Sequence, residues 1–237
     1  MKPGRRAWFE WLALLSFLSA LMAVGAAQTP AEQVAPGTAG YAVPRTSWGD
    51  PDLTGIWPSI DMVRVPVRCI SRGALGSTLP VLYNSGIDIT QAPGYVALRY
   101  EMVHDYRVIP LDGRPRLSSS IRQHMGDARG RWEGDTLVVE TTNFTDRVGV
   151  GLSGGGVPNS TGMRLVERFT RVSNDTIRYE ATVHDPQTWT MSWTVAFPLT
   201  RMADYGMYEY ACHEGNLGLR YALSGSRAGE RAAPARH

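Results

Sequence analysis

Alternating apolar and polar residues predict β-strands along most of the chain. Residues i and i+2 of a strand share one face, so a half-buried strand alternates in character. The pattern is clear where Ile177, Tyr179, Ala181 and Val183 form one apolar face. Strands are predicted over residues 53–57, 95–102, 106–109, 129–133, 136–142, 164–172, 176–185, 188–199 and 206–213.

Short turns between these runs indicate antiparallel pairing. Gly134-Asp135 is a two-residue connection between strand-forming segments, which is a strong hairpin signal. Residues 173–175 join a second pair. Regularly spaced strands without alternating helices are typical of an antiparallel sheet that curls into a barrel. The predicted fold class is therefore all-β, a mostly antiparallel barrel with an irregular N-terminal region and a short C-terminal helix.

The segments between the predicted strands carry weaker signals. Residues 61–93 contain scattered proline and glycine and are interpreted as mostly irregular. Residues 116–125 could form a short helix capped by one of three serines at 118–120. Residues 146–163 are rich in glycine and are interpreted as a long loop. A closing helix is predicted over residues 216–227, with Asn216 as its cap.

The first 27 residues have the features of an export signal. Lys2, Arg5 and Arg6 precede an apolar run over residues 12–24, and small residues follow at 25–27. A cationic start, a short apolar run and a small-residue end define a secretory signal, with an uncleaved membrane anchor as the alternative. We expect an exported protein, periplasmic or extracellular, without a membrane segment after cleavage.

The rest of the chain is expected to form one domain. Residues 28–47 are rich in Ala, Pro, Gly and Thr and are interpreted as a flexible leader. The single β-barrel domain is predicted over residues 48–232, followed by a tail at 233–237.

Composition excludes several classes of enzyme. The chain has 237 residues, of which 43% are hydrophobic and 19% charged, as in an ordinary globular protein. Its only lysine is Lys2. A mature chain without lysine forms neither a Schiff base nor a P-loop. Pyridoxal enzymes, lysine-dependent aldolases and P-loop nucleotide hydrolases are therefore excluded.

The mature chain is electrically balanced. Removal of the signal takes three of the 24 basic residues and one of the 22 acidic residues, which leaves 21 of each. Nucleic acid requires a basic surface, so no nucleic-acid partner is expected. The expected partner is a small-molecule ligand or substrate.

Cys69 and Cys212 are the only cysteines. An even pair in an exported chain favours a disulfide. Such a bridge would close a long loop. By restricting the unfolded chain, it would raise the free energy of unfolding by roughly 4–5 kcal/mol. Two buried thiols, or one reactive cysteine, are the alternatives.

Two histidine–acid pairs, His104-Asp105 and His213-Glu214, interrupt the strand pattern. Histidine titrates near neutral pH and suits general acid–base catalysis, and a carboxylate can fix its tautomer. Adjacent strand residues point to opposite faces, so the orienting acid is expected from another strand. The candidate orienting carboxylates are Glu140, Glu180 and Glu209. The predicted catalytic set is His104, Asp105, His213 and Glu209.

The same residues allow other interpretations. Both histidines could be ordinary hydrogen-bonded or surface residues. Histidine and carboxylate also suit zinc or copper, but no spacing typical of metal ligands occurs, and neither a metal nor an organic cofactor is expected. The string Gly151-Leu152-Ser153-Gly154-Gly155 matches a serine-hydrolase motif, although no strand–turn–helix pattern surrounds it.

Arginine and tryptophan side chains are candidates for holding a substrate. An arginine can clamp a carboxylate or phosphate with two parallel hydrogen bonds, and internal ion pairs are the alternative. Tryptophans could stack on a sugar ring or fill the core. The predicted substrate-binding residues are Arg107, Arg122, Glu180, Trp189 and Trp193.

Longer motifs resemble a family of exported bacterial proteins of unassigned activity. They are HDYRVIPLDGRP at 104–115, GRWEGDTLVVETTNF at 130–144, VERFTR at 166–171 and YEYACHEGN at 208–216. The resemblance covers about residues 48–230. Gly55-Ile56-Trp57 is also similar to the Gly-x-Trp start of lipocalin-type (calycin) barrels, which implies a lipocalin-like barrel around a small ligand.

These observations favour an acid–base enzyme without an organic cofactor: a lyase, isomerase or hydrolase acting on a small polar molecule in a β-barrel pocket. The histidines would exchange protons, carboxylates would orient them, and an arginine would hold an anionic group. The alternatives are a lipocalin-like binding or carrier protein without catalysis and a structural envelope protein. An enzyme requires the imidazoles and carboxylates to converge in one cavity.

Overall fold

The structure is a computed structural model that describes residues 40–58, 71–81, 83–150 and 157–232. The predicted signal, residues 28–39 of the predicted leader, Cys69 and the tail at 233–237 lie outside the described residues. The last part of the leader contacts the folded unit, because Arg45 forms an ion pair with Asp135 and a β-bridge with Pro51. Within these ranges, no helix has the length and hydropathy of a membrane span.

The described chain is built mainly from strands. In chain order its elements are β1 Gly55–Ile56, α1 Gly73–Thr78, β2 Ile87–Ala92, β3 Tyr95–Tyr100, β4 Tyr106–Pro110, β5 Asp127–Glu133, β6 Thr136–Thr142, β7 Gly149–Val150, β8 Val157–Pro158, β9 Arg164–Arg171, β10 Thr176–His184, β11 Trp193–Thr200 and α2 Gly218–Ala232. A 3-10 turn at Met102–His104 separates β3 from β4.

These strands form two principal antiparallel sheets. The first has the order β1-β2-β3-β4 and the second β11-β10-β9-β6-β5, while β7 pairs with β8. The mostly antiparallel β prediction is confirmed. Among the described strands, no closed barrel is detected.

Both predicted hairpins are present. Glu133 faces Thr136 across the β5–β6 turn, and Gly134 has a φ of 60°, which glycine adopts without steric cost. Arg171 faces Ile177 across the β9–β10 turn. At both hairpins, the strand alternation and the turn residues predict the same antiparallel pair. A sequence specifies its structure when such local signals are consistent.

One hydrophobic cluster lines the inner faces of both sheets. Leu98 and Ile109 of the first sheet belong to the same core as Leu165, Phe169 and Tyr179 of the second. The Phe169 and Tyr179 rings lie 5.0 Å apart between their centroids. The alternation predicted for β10 is confirmed, since its apolar residues are buried and the residues between them are not.

The strand predicted over residues 206–213 is wrong. These residues have no regular secondary structure. The backbone N–H groups of Tyr208 and Tyr210 donate to the side chains of Glu101 and His104 rather than to a neighbouring strand. Tertiary hydrogen bonds therefore override an alternating pattern.

Three other predictions are corrected, and one is confirmed. The irregular interpretation of residues 61–93 is wrong for α1 and β2, which lie within that range, and Ile87 and Ile89 of β2 pack in the core. β11 begins at Trp193 rather than at 188, because the Thr188 and Trp189 amides donate to the Asp185 carbonyl in a turn. The helix predicted at 116–125 is absent. Its place is taken by a loop in which the Asn143 side chain donates to three carbonyls, those of Leu117, Ser118 and Ile121. The closing helix is confirmed as α2, and the Asn216 side chain accepts from the Gly218 amide at its start.

A buried ion pair joins the two sheets. Arg107 of β4 donates from Nη1 and Nη2 to Glu167 Oε2 and Oε1 of β9, at 2.5 and 2.7 Å. The two side chains are 3% and 0% exposed. The Tyr179 hydroxyl donates to Glu167 Oε1 at 2.8 Å. Burial alone would lower the pKa of Arg107, but the Glu167 carboxylate raises it above its ordinary value, so the guanidinium stays charged.

The variant Arg107→Met would leave the Glu167 carboxylate buried without its counter-charge. We expect the free energy of unfolding to fall by about 3–5 kcal/mol, measured by urea denaturation. Glu133→Gln is the matched control, because it breaks exposed ion pairs with Arg131 and Arg168 and should change stability little. An Arg107→Met protein as stable as the wild type would show that the pair does not hold the sheets together.

Candidate functional site

The connection between β3 and β4 contains two consecutive non-glycine residues in the left-handed conformation. The φ angle is 65° at Val103 and 56° at His104. This region is uncommon for any L-residue and is a steric outlier for a β-branched one. Such backbone costs on the order of 1–3 kcal/mol per residue and clusters at functional sites. β3 ends at Tyr100, before the end predicted from the sequence.

The Glu101 carboxylate holds the start of this turn. Oε1 accepts hydrogen bonds from Asn84 Nδ2 at 3.0 Å and from the Tyr208 amide at 3.1 Å. Oε2 accepts from the Gly86 amide at 3.2 Å and from the Tyr205 hydroxyl. Burial alone would raise the pKa of Glu101, but these hydrogen bonds outweigh it and lower the pKa below the ordinary value. One charged carboxylate thus ties distant segments of chain to the turn.

Residues 205–210, here called the C-terminal strap, cross the turn without regular secondary structure. The Tyr210 amide donates to His104 Nε2 at 3.2 Å. A ring nitrogen that accepts a hydrogen bond carries no proton, so the neutral His104 ring has its proton on Nδ1. Because the His104 side chain is exposed, Nδ1 can donate to a bound molecule.

Asp105 follows His104 and is half-buried. Its Oδ2 accepts a hydrogen bond from Ser71 Oγ at 2.7 Å, and the carboxyl also accepts from the Arg72 backbone amide. Burial raises the pKa of Asp105 above its ordinary value, although these hydrogen bonds and the charge of His124 partly offset the rise. A carboxyl with a raised pKa holds its proton closer to neutral pH and can act as a general acid.

The site contains an arginine that no sequence pattern predicts. Arg72 is 2% exposed, and its Nη1 lies 3.7 Å from Met102 Sδ. Within the described part of the chain, its Nε and Nη2 have no hydrogen-bond partner. Burial lowers the pKa of Arg72, and the nearby Tyr210 phenol partly offsets that effect. Arg72 lies in a stretch whose sequence shows no strand or helix periodicity, so nothing in its spacing distinguishes it from the other arginines.

The three polar residues predicted to bind substrate lie away from the turn or are already paired. Both Nη groups of Arg107 are bound by Glu167, so the internal ion pair is the arrangement that the structure shows. Arg122 is exposed and donates to the Thr161 carbonyl at 2.8 Å. Glu180 lies on β10 with its Oε2 3.6 Å from Arg178 Nε.

Trp189 and Trp193 contact each other at the start of β11. Their ring centroids are 5.6 Å apart and their planes meet at 75°. Both side chains are partly buried against the core cluster, and their indole N–H groups have no partner among the described residues. Trp189 lies in the turn before β11, so the two rings do not share a strand face. Their contacts agree better with core packing than with stacking on a sugar.

His213 and Glu209 lie more than 100 residues from the turn in sequence, and both side chains are exposed. They flank Tyr210, whose amide contacts His104, yet no hydrogen bond within the described chain joins either of them to His104. The two imidazoles are therefore not enclosed in one cavity. Cys212 is disulfide-bonded. Cys69 lies outside the described residues, so their pairing stays a prediction.

The variant Glu101→Gln should loosen the strap. It removes the charge and replaces one acceptor oxygen by a donor, so we expect stability to fall by about 2–3 kcal/mol. Amide hydrogen exchange should become faster at Tyr208 and Gly86. Glu209→Gln is the matched control, because that carboxylate lies exposed on the same strap. Unchanged exchange at Tyr208 in Glu101→Gln would contradict this role.

The lowered pKa of Glu101 also predicts a pH dependence. Its stabilising contribution is complete above the ordinary carboxyl pKa and is lost as the pH falls through the lower value in the folded protein. As the pH falls below the ordinary glutamate pKa of about 4.3, wild-type stability should therefore fall more steeply than that of Glu101→Gln. Parallel slopes in urea denaturation across this range would show that Glu101 contributes nothing.

The turn brings together the exposed imidazole of His104, the Asp105 carboxyl with its raised pKa, and the Arg72 guanidinium. Nε and Nη2 of Arg72 have no hydrogen-bond partner in the described chain. This set can transfer a proton and attract an anionic group. Among the side chains that the structure describes, no cluster of three or more His, Cys, Asp or Glu is arranged to hold a metal ion. No family model matches the chain, and neither a curated protein nor a solved structure matches it.

Proposed function

We propose that the protein is an exported acid–base enzyme acting on a small organic molecule at the turn between β3 and β4. The reaction would be that of a lyase, an isomerase or a hydrolase and would use no organic cofactor. The observation that carries the proposal is the left-handed backbone at Val103 and His104 beside the half-buried Asp105. Strain of this kind persists where surrounding contacts over-determine it, and it clusters at active sites.

The two residues of the turn have different roles in this proposal. Asp105 exchanges a proton with the substrate, because burial brings its pKa closer to neutral pH. His104 donates from Nδ1 to an oxygen on which negative charge develops. When the Tyr210 amide moves away, Nε2 becomes free to accept a proton. His213 and Glu209, beside the same strap, form a second candidate acid–base pair.

Export and a lipocalin-like barrel are parts of the same proposal. Export is supported by the signal pattern of residues 1–27 and by the disulfide at Cys212, which suits an oxidising compartment. The barrel is supported by Gly55-Ile56-Trp57, which opens the first sheet with a fully buried tryptophan. The guanidinium groups of Arg171 and Arg201 lie 5.5 and 5.9 Å from the Trp57 ring.

A carrier of an apolar ligand receives less support. Such a carrier needs an apolar pocket between its sheets. Between the two sheets of this protein, however, lie the buried charges of Arg107 and Glu167. The Tyr179 hydroxyl donates a hydrogen bond to Glu167 there. The polar groups instead converge at the turn.

Proton exchange in heavy water tests this function whatever the reaction is. The mature protein, incubated with a panel of small organic acids, esters and lactones, should convert one compound or exchange its C–H protons, as detected by proton NMR. His104→Asn keeps a residue that tolerates the left-handed conformation. We expect this variant and Asp105→Asn each to lower turnover about 100-fold or more without changing thermal unfolding.

His184→Ala is the control for these variants. His184 is an exposed histidine whose Nδ1 lies 2.8 Å from Ser192 Oγ, away from the turn. It should keep full turnover. Full turnover in both His104→Asn and His213→Ala would overturn the proposed function.

A further inference from the structure

Arg72 is a buried cation beside the proposed catalytic turn. The described chain supplies no counter-charge for its guanidinium. Arg72 is 2% exposed, and the Nε and Nη2 groups have no hydrogen-bond partner in the described residues. Native structures seldom bury a charge in this way unless an ion, a ligand or a water molecule pairs with it or accepts its hydrogen bonds. We propose that Arg72 binds the carboxylate of a small organic acid. This inference rests on the proposed function, because it names the substrate class of that site.

The two unpartnered nitrogens lie on the same edge of the guanidinium. The N–H groups of Nε and Nη2 point in the same direction and form the fork that the two oxygens of a carboxylate fill. The remaining nitrogen, Nη1, is the one that contacts Met102 Sδ. The open edge of Arg72 is therefore the edge suited to bidentate recognition.

Other buried arginines of the described chain have acceptors. Arg107 binds Glu167 through both Nη groups. Arg171, which is 7% exposed, donates to three backbone carbonyls, those of Asp52, Ser173 and Asn174. The fold thus supplies acceptors to the guanidinium groups that brace it, although Arg107 Nε is also buried without a partner among the described residues. Among the described residues it supplies none to the fork of Arg72, which indicates a role other than bracing.

The polar neighbours of Arg72 favour an anion. Burial, together with a hydrogen bond to Tyr83, raises the pKa of Tyr210 to about 12, so its phenol stays protonated and can donate. The Tyr83 and Tyr210 rings lie 6.3 Å apart between their centroids. The Asp105 carboxyl faces Ser71 and the backbone amide of Arg72, and it forms no ion pair with the Arg72 guanidinium within the described chain.

The site as it stands is closed. A cavity of about 10 Å³ lies between Arg72, α1, Phe144 and Met163, which is room for about one water molecule. Because Arg72 is only 2% exposed, a carboxylate can bind only when covering residues move, and we infer that Tyr210, which acts on Arg72 electrostatically, is one of them. The strap that carries Tyr210 makes no strand ladder, and its anchors to the turn are bonds to Glu101 and His104. Opening the strap would free His104 Nε2 and move Tyr210 away from Arg72.

Acetate is the probe for this site, and acetamide is the uncharged control compound of similar shape. We expect acetate to raise the Tm of the mature protein in a saturable manner at constant ionic strength, by roughly 5–10 °C at one hundred times its Kd. Acetamide should cause no shift. Differential scanning fluorimetry measures both. Arg72→Met should abolish the acetate response, whereas Arg122→Met, which removes an exposed arginine, should keep it.

Stability without acetate separates a ligand-binding arginine from a structural one. Removing an unpaired buried charge should leave Arg72→Met with a Tm equal to or above that of the wild type. Arg72→Lys keeps the charge without the fork and should weaken the acetate response. The proposal is overturned if Arg72→Met lowers the Tm, if it retains the acetate response, or if the wild type shows no saturable shift. A shift with phosphate alone would overturn the carboxylate assignment.

His104→Asn distinguishes this inference from the proposed function. We expect it to lose turnover and to keep the acetate response, because the Arg72 fork is intact. Full turnover with an intact acetate response would overturn the catalytic role of His104 and leave the carboxylate site standing. Lost turnover in a protein whose wild type shows no acetate response would overturn the carboxylate site alone.

Discussion

The ion pair between Arg107 and Glu167 is the interaction on which the rest of this structure depends. It joins the inner faces of two sheets, and both side chains are almost fully buried. Desolvation makes such a pair expensive unless its geometry is good and its remaining acceptors are satisfied. Here both Nη groups and the Tyr179 hydroxyl meet the same carboxylate. β4 is therefore held in a defined position against β9.

This constraint explains why the strain falls in the turn before β4. Arg107 fixes where the turn must end, and Glu101, with its set of donors, fixes where it begins. The few residues between these anchors have to reverse the chain, and Val103 and His104 do so in the left-handed conformation. The strain is held by contacts at both ends, which is the condition under which such backbone persists.

Local pattern is sufficient to predict some parts of the molecule. The β5–β6 and β9–β10 hairpins follow from alternation and turn residues, and the helix at α2 follows from its cap. His104-Asp105 stands out as a candidate site because it breaks a strand pattern. That break corresponds to the strained turn, even though the sequence alone does not show the left-handed backbone.

Other parts depend on contacts between residues far apart in the chain. The strap alternates like a strand, but Glu101 and His104 take its backbone hydrogen bonds. Arg107 has the chemistry of a substrate clamp, and only its burial against Glu167 shows that it braces the fold. Arg72 is the converse case, since its lack of a partner among the described residues is a property of the folded chain. Sequence spacing carries no information about which arginine is paired.

A crystal structure of the protein grown in acetate tests the central claim most directly, because that claim concerns which group accepts hydrogen bonds from the Arg72 guanidinium. The account predicts an acetate whose two oxygens lie about 2.7–2.9 Å from Nε and Nη2, with Tyr210 displaced from its position near the guanidinium. A guanidinium whose fork is already filled by a carboxylate or carbonyl of the protein itself would contradict the account.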